Sequence, residues 1–403
     1  MRILYSHRVQ SKDGQSVHIE ELTGALRRQG HVLDIVGPAF YEQAGFGGGD
    51  KSLVSSLKAH LPGAAYELAE LGYNAVSIPP LLRAGRANRP DVIYERYNLF
   101  HLAGLTARRV LKRPLLLEVN SPLAEERARH GNLKLQRLAK RIEAATWRGA
   151  DLVLPVTNVL ADHVRAAGVP DERIHVVQNG IDPRLYASLD PRPFRARLQL
   201  GSGEIAIGFV GFVRPWHGLD RVLDRMARDR RANLRLIIAG DGPAISDLKA
   251  QAKALGIASR VQFLGLVERA DIPGLLASFD VALQPHVVAY ASPLKLFEYM
   301  AAARAIVAPA TPNIREVLTD KTDALLVQPD DPDDLWGAIT ALADDAALRT
   351  RLGDGARNTL LTRDYTWDGN ARRIASLAEM LGARHAAGKD ARDFAANRRQ
   401  VIE

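Results

Sequence analysis

Two charged residues one turn apart, Lys295 and Glu298, stand in the segment YASPLKLFEYMAAA (residues 290–303), where a helix should begin. Ser292 suits an N-cap and Pro293 suits the first helical position. Lys295 then falls in the first turn, at the positive end of the helix dipole, where an acidic residue is normally favoured. A cation in that place makes sense if an anion sits in front of the helix, held by free backbone N–H groups and the ammonium together. Glu298 shares the face of Lys295, and its carboxylate would accept hydrogen bonds from a diol such as a ribose. The plainer alternative is an exposed lysine ion-paired to the glutamate.

A second pair of candidates lies in IGFVGFVRPWHGLDRVL (residues 207–223), which reads as a buried strand, a polar turn and a helix from about Gly218. Arg214 offers a fixed fork to a phosphate, and His217 can donate to the same anion or titrate near neutrality. Trp216 would wall such a site; the alternative is a surface turn with a stacked Arg–Trp pair. Gly14 precedes a helix expected to open near Ser16, and a glycine at a strand-to-helix turn lets backbone approach an anion. The G-x-G-x-x-G pattern of dinucleotide sites is absent. LIIAGDGPAISDL repeats the strand, glycine turn and helix arrangement at Gly240, with Asp241 read as a cap. A glycine also ends the strand in VQFLGLVER, where a base would lie against backbone. PDDPDD (329–334) is read as helix capping rather than a metal site, and nothing else has metal-ligand spacing.

These turns need elements to hold them. Short β-branched runs alternate with amphipathic stretches from end to end. Expected strands are 2–6, 32–36, 91–95, 115–119, 152–156 and 175–178, then 205–210, 234–239, 261–264, 281–284, 305–308 and 324–327. Expected helices include 18–28, 243–255 and 333–342. That rhythm is βαβ repeated, a parallel sheet with helices on both faces, and it occurs twice. Residues 179–204, rich in proline and polar residues, interrupt it. The expected organisation is an N-terminal Rossmann-like domain (1–185), a C-terminal Rossmann-like domain (186–364), a helix (365–382) and a charged tail (383–403). Two such domains in tandem are expected to face each other across a cleft lined by the carboxyl ends of their strands.

The composition is that of an ordinary globular chain of 403 residues, 47% hydrophobic and 25% charged, with no cysteine to form a disulfide or a thiolate metal site. No apolar run is long enough to span a bilayer, and the first residues enter a strand pattern directly, so a cytoplasmic location is expected. The net charge of +8 favours polyanions. Much of the excess lies in residues 125–141, read as one basic amphipathic helix, either a solvated face or a surface that docks peripherally on the anionic inner face of the cell membrane. Nucleic acid is not an expected partner, because no aromatic interleaving accompanies the charge.

Taken in order, the Gly14 turn, VVQNGID (176–182), FVGFVRPWHG, AGDGP, SPLKLFEYMAAA and YTWDGNARRI resemble the retaining, nucleotide-sugar-dependent glycosyltransferases of family four. The resemblance implies the α/β GT-B fold. It also implies a hexosyltransferase that moves a sugar from a nucleotide diphosphate sugar, UDP- or GDP-linked, to a saccharide, lipid-linked or small-molecule acceptor, with no metal or other cofactor. Carried over by residue, Glu298 would bind the ribose, and Lys295 with the backbone at Ser292, Pro293 and Leu294 would contact the diphosphate or donor sugar. Arg214 and His217 would be further phosphate partners, and Gly14, Gln15, Gly240 and Tyr290 complete the donor set. Catalysis would rest on Asn120, Arg214, His217 and Lys295, and the acceptor would meet Glu95, Arg96, Glu118 and Asn120. Three departures stand out: Tyr290 replaces the first glutamate of the family's E-x7-E pair, Phe212 and His217 fill the places of an arginine and a lysine, and Asn120 replaces a histidine. The chain is most similar to a subgroup with SPLKLFEYMA and RPWHG, which implies an altered sugar preference. A nucleotide-sugar epimerase of the same architecture, or a non-catalytic nucleotide-sugar sensor or membrane scaffold, are the competing readings.

Overall fold

The computed structural model describes residues 1–9, 14–38, 63–131 and 133–400. The chain divides into two compact units, Met1–Gln178 with Trp367–Glu403, and Asn179–Thr366. The division falls at Gln178/Asn179, against the 185/186 boundary expected from the sequence, because the segment after Asn179 already bonds within the second unit, Ile181 N donating to Tyr365 O at 3.2 Å.

In the first unit the order is β1 (Arg2–Ser6), α1 (Gly14–Arg28), β2 (Val32–Val36), α2 (Gly63–Gly72), α3 (Asn74–Asn88), β3 (Val92–Arg96), α4 (Ala103–Leu111), β4 (Leu115–Val119), α5 (Leu123–His130), α6 (Gln136–Gly149), β5 (Leu152–Pro155) and α7 (Asn158–Ala166). The sheet runs β2-β1-β3-β4-β5, and every pair is parallel. β3, β4 and β5 are buried along their whole length, apolar except for Glu95 and Arg96 at the end of β3 and Glu118 in β4. Residues 175–178, expected as a sixth strand, are extended but outside the sheet's strands. His175 N and Val177 N donate to Val153 O and Pro155 O, both at 3.0 Å. The reciprocal bond would need an N–H on Pro155, which has none, so the ladder stops.

In the second unit, α8 (Arg192–Arg197) precedes β6 (Ile205–Val210), α9 (Leu219–Arg228), β7 (Leu234–Ala239), α10 (Ile245–Ala254), β8 (Val261–Gly265), α11 (Ile272–Ala277) and β9 (Val281–Leu283). α12 (Leu294–Ala301), β10 (Ala305–Pro309), α13 (Pro312–Arg315), β11 (Leu325–Val327), α14 (Pro332–Asp344) and α15 (Ala346–Thr362) follow. The sheet order is β11-β10-β9-β6-β7-β8. Counted from β6, that is the doubly wound order whose direction reverses between the first and fourth strands, here β6 and β9, and open α/β sheets take ligands at the carboxyl ends beside such a reversal. Apolar clusters cover both faces of this sheet.

After Thr366 the chain rejoins the first unit as α16 (Trp367–Gln400), the element in which the helix expected at 365–382 and most of the expected tail continue. α16 lies on α1: Trp367 meets the His18 ring edge-on with centroids 4.9 Å apart, Arg28 pairs with Asp368 at 2.7 Å, and Asn370 Nδ2 donates to Gln178 O at 2.7 Å. Residues 401–403, and residues 10–13 of the turn before Gly14, lie outside the described residues.

The basic stretch 125–141 is not one helix. α5 ends at Gly131, whose N–H bonds Arg127 O at 2.9 Å, and α6 starts at Gln136. Its charges are partly answered within the protein, Arg127 by Glu70 at 2.8 Å and Arg129 by Glu125 at 2.6 Å. No described helix is long and apolar enough to cross a membrane.

Candidate functional site

At the carboxyl ends of β6 and β9 the second unit gathers most of the residues expected to bind an anion. α12 begins one residue later than expected: Pro293 occupies the N-cap position and no side chain caps the helix. Ser292 is drawn away by Asn179, whose N–H reaches Ser292 Oγ at 3.2 Å and whose Nδ2 reaches Ser292 O at 2.6 Å. Leu296 N donates back to Pro293 O at 3.1 Å, so the N–H groups of Leu294 and Lys295 are the ones left without an intrahelical or side-chain acceptor among the described residues. Asn313 steadies the approach to the helix by donating to Ala291 O at 2.7 Å.

Lys295 folds back over this end. Its ammonium lies 3.8 Å from the centroid of the Phe209 ring, an arrangement in which the ring face attracts the cation but does not neutralise it. Among the described residues no carboxylate lies within ion-pair distance of Lys295, so the exposed Lys–Glu pair of the plainer reading is not what forms. Burial lowers the Lys295 ammonium to about 7, partly offset by Glu298. Burial likewise raises the Glu298 carboxyl, against the pull of Lys295 and Arg269. One turn on, Tyr299 fastens the helix to the sheet: its hydroxyl accepts from Val210 N at 3.1 Å and donates to Leu283 O at 3.2 Å. That bond pair sets the start of α12 against the reversal point of the sheet.

The facing strand end is shaped by glycine. Gly211 has φ +132°, and a Cβ there would lie 3.1 Å from Lys295 Cε and Nζ; a Cβ on Gly240, φ +133°, would lie 2.0 Å from Gly211 O. Gly240, expected in the donor set, thus lets the β7 end pass close under the β6 turn that Lys295 covers.

His217 holds a defined protonation state. Its Nδ1 accepts from Arg214 N at 3.1 Å, so Nε2 carries the proton. Burial, with Lys295 and Arg214 adding to it, lowers the imidazole to about 3, which keeps it a neutral donor. Arg214 is exposed, with its guanidinium 4.7 Å from the Phe212 centroid and 5.0 Å from that of Trp216. The stacked surface turn posed as the alternative for Arg214 is the geometry found. Phe212, in the place where the resemblance leads one to expect arginine, serves as one of its two supports.

The first unit holds the residues expected to meet an acceptor, and three of the four are buried. The Glu118 carboxylate accepts from His18 Nε2 at 3.0 Å, Tyr94 Oη at 2.7 Å, Asn120 Nδ2 at 2.6 Å and the Arg96 guanidinium. Burial alone would raise it, but His18, Arg96 and these hydrogen bonds outweigh that and hold it well below the usual carboxylate range. Glu95 accepts from Gly104 N at 2.7 Å near the start of α4 and from Ser6 Oγ at 3.2 Å. Burial pushes its carboxyl up to about 8, so it is an uncharged acid at neutral pH. Of the set, only Asn120, at the end of β4, is half-buried. Gly14 and Gln15 open α1 as exposed residues with no acidic group in the first turn. Among the described residues no group of three or more His, Asp or Glu is placed to hold a metal ion.

His18, Tyr94, Asn179, Gly211 and Tyr299 were not among the expected site residues. Tyr299 lies in the same segment as Lys295 but reads as core, and the others have partners far away in sequence.

The description "Glycosyltransferase Family 4" matches residues 12–185, and "Glycosyl transferases group 1" matches residues 204–345. The chain is 23% identical over 384 residues to the uncharacterized glycosyltransferase MJ1607 of Methanocaldococcus jannaschii, covering 92% of this chain and 96% of the relative. It is 29% identical over 323 residues to the MMP alpha-(1->4)-mannosyltransferase of Mycolicibacterium hassiacum, covering 75% and 74%. Among solved structures it resembles Anabaena Alr3699/HepE in complex with UDP-glucose, with a TM-score of 0.74 at 19% identity, over 94% of this chain and 100% of the other. Two parallel doubly wound sheets, each under its own family match, place the chain among the family-four-like glycosyltransferases of GT-B fold.

Proposed function

We propose that the protein is a retaining, metal-independent glycosyltransferase that takes its sugar from a nucleotide diphosphate sugar and passes it to a saccharide, lipid-linked or small-molecule acceptor. The observation that carries this is the uncapped start of α12 with an ammonium that has no carboxylate partner above it. That arrangement lacks one thing, an anion. Cleavage of the anomeric C–O bond builds negative charge on the departing diphosphate. Lys295, the α12 amides and the neutral Nε2–H of His217 are donors already in place for it. Arg214, exposed and supported by the Phe212 and Trp216 rings, offers its fork at the rim. Glu298, with no hydrogen-bond partner among the described side chains, takes the ribose hydroxyls. Retention follows when the acceptor attacks from the face the diphosphate leaves, with a leaving-group oxygen accepting the acceptor's proton, so no enzyme nucleophile is required.

A UDP-sugar is the donor we favour, because the fold neighbour HepE is described with UDP and with UDP-glucose. The protein would work in the cytoplasm, and membrane docking through 125–141 is the weaker part of the proposal, since that stretch is broken and partly ion-paired. A panel of UDP-, GDP- and ADP-sugars is to be screened first without and then with chelator for a rise in Tm and for release of nucleoside diphosphate. One donor should give both. Loss of both on adding chelator removes the metal-independent part, and isomerised nucleotide sugar without diphosphate release would favour the epimerase.

A further inference from the structure

Glu118 was expected to touch an acceptor, and its surroundings leave it no means to do so. Both carboxylate oxygens are engaged, Oε2 by His18 and Tyr94 and Oε1 by Arg96 and Asn120. The donors are themselves held: the Tyr94 ring stacks on Tyr5 with centroids 5.2 Å apart, and His18 is backed by the edge of Trp367. The carboxylate cannot turn outward. Of its four donors Asn120 is the one half-buried member.

An ionised carboxylate can only accept hydrogen bonds. At 2.6 Å from Glu118 Oε1, the Asn120 amide must therefore present its NH2 group inward, and its carbonyl oxygen Oδ1 points the other way. Oδ1 has no protein partner among the described residues and is not enclosed. It stands just beyond β4, at the carboxyl edge of the sheet where ligands of open α/β folds bind.

We propose that Glu118 is a positioning residue: it fixes the Asn120 amide so that Oδ1 is a permanent, uncharged acceptor for a sugar hydroxyl. The inference deepens the transfer reading and rests on it. A hydroxyl can donate to Oδ1, whereas a phosphate or an ether oxygen has nothing to donate, so the position selects for an unmodified hydroxyl. Asparagine also brings no titration near neutrality, unlike a histidine in the same place.

Two experiments test this, the first without any substrate. In 15N-labelled protein the Asn120 side-chain signals, identified by their loss in Asn120→Ala, should show two well-separated NH2 protons, the one bonded to Glu118 shifted downfield. Glu118→Gln should collapse that separation. A small separation in the wild-type protein, or an unchanged one in Glu118→Gln, overturns the proposal whatever the donor. The second measures UDP release from UDP-glucose, with water or methyl α-glucoside as acceptor. Asn120→Ala and Asn120→Gln should each lower kcat/KM about tenfold, the scale of one lost hydrogen bond. Glu118→Gln should do the same, and adding it to Asn120→Ala should change the rate by less than about twofold. Loss with water and glucoside alike assigns the hydroxyl to the donor sugar, and loss with glucoside alone assigns it to the acceptor. An additive, roughly hundredfold double-mutant effect would mean that Glu118 acts independently of Asn120. Should the wild-type protein release no UDP, the transfer reading with this donor falls, while the amide signals still decide the positioning claim.

Discussion

Glu118 in the first unit and Lys295 in the second are both charged groups withdrawn from water, and their surroundings treat them in opposite ways. Four donors surround the carboxylate, and its ionised form is favoured despite burial. The ammonium has an aromatic face and no carboxylate within reach, and its charged form is disfavoured. A buried charge that is fully answered belongs to the protein's own framework. One left unanswered is a cost that a ligand of opposite sign removes while the group stays charged. The difference separates a scaffold from a binding site on physical grounds, without reference to relatives.

The sharpest way to break the comparison is to delete each charge. Glu118→Ala leaves Arg96 and His18 buried without their anion and should cost about 3–5 kcal/mol of stability, read from urea unfolding; a loss under about 1 kcal/mol would show that the cluster is not coupled. Lys295→Ala should leave the fold intact and lower kcat by roughly 10²–10³, as removal of a leaving-group donor does. Near-normal turnover would take Lys295 out of the mechanism. Its stability effect has a sign worth checking through Lys295→Met. The ammonium titrates near 7 in the folded chain and about 10.4 when unfolded, so burial of its charge weakens the native state most below pH 7. The methionine variant should therefore be the more stable protein at pH 6, with the gap closing as pH rises from 7 toward 10. Tyr299→Phe strands Val210 N and Leu283 O and should cost about 1–3 kcal/mol, with a further fall in donor affinity because α12 is no longer fixed. Unchanged nucleotide affinity by calorimetry would show that the anchor matters for stability alone. The smallest effect concerns Glu95. Its folded value of about 8 exceeds the ordinary carboxyl value, so its stabilising contribution is fully present below about pH 4.5 and declines as pH rises to 8. Glu95→Gln should match the wild type at pH 5 and melt a few degrees higher at pH 8.5, and parallel Tm curves across that range would refute the neutral-acid assignment.

Most of the framework was legible because its strands are buried. β1, β4, β6 and β7 are mostly buried and rich in β-branched residues and leucine, while β2 mixes exposed and half-buried positions; the observed limits of all five coincide with the expected ones. The signal failed where a distant partner intervened. Ser292 looks like a cap in its own segment, but Asn179, 113 residues earlier, takes its oxygens. Residues 175–178 look like a strand until Pro155 on the neighbouring strand β5 withholds a donor. The reading of 125–141 followed charge and passed over Gly131, a local stop signal that was present. Lys295, proposed above to meet an anion, was visible because a cation in the first turn conflicts with helix preference, and His217 because it sits in a polar strand-to-helix turn beside Arg214. The Glu118 cluster was not, since His18, Tyr94 and Arg96 lie 100, 24 and 22 residues away and each is unremarkable alone.

The return of α16 to α1 has a bearing on how the chain is made. The first unit needs residues from both ends of the sequence, while the second is one continuous insertion, Asn179–Thr366. During synthesis the insertion is complete before the ribosome has produced Trp367, so it can fold first while the earlier-made half still has the α1 side of His18 uncovered. Termination after Thr366 would therefore spare the second unit and leave the first an aggregation-prone intermediate.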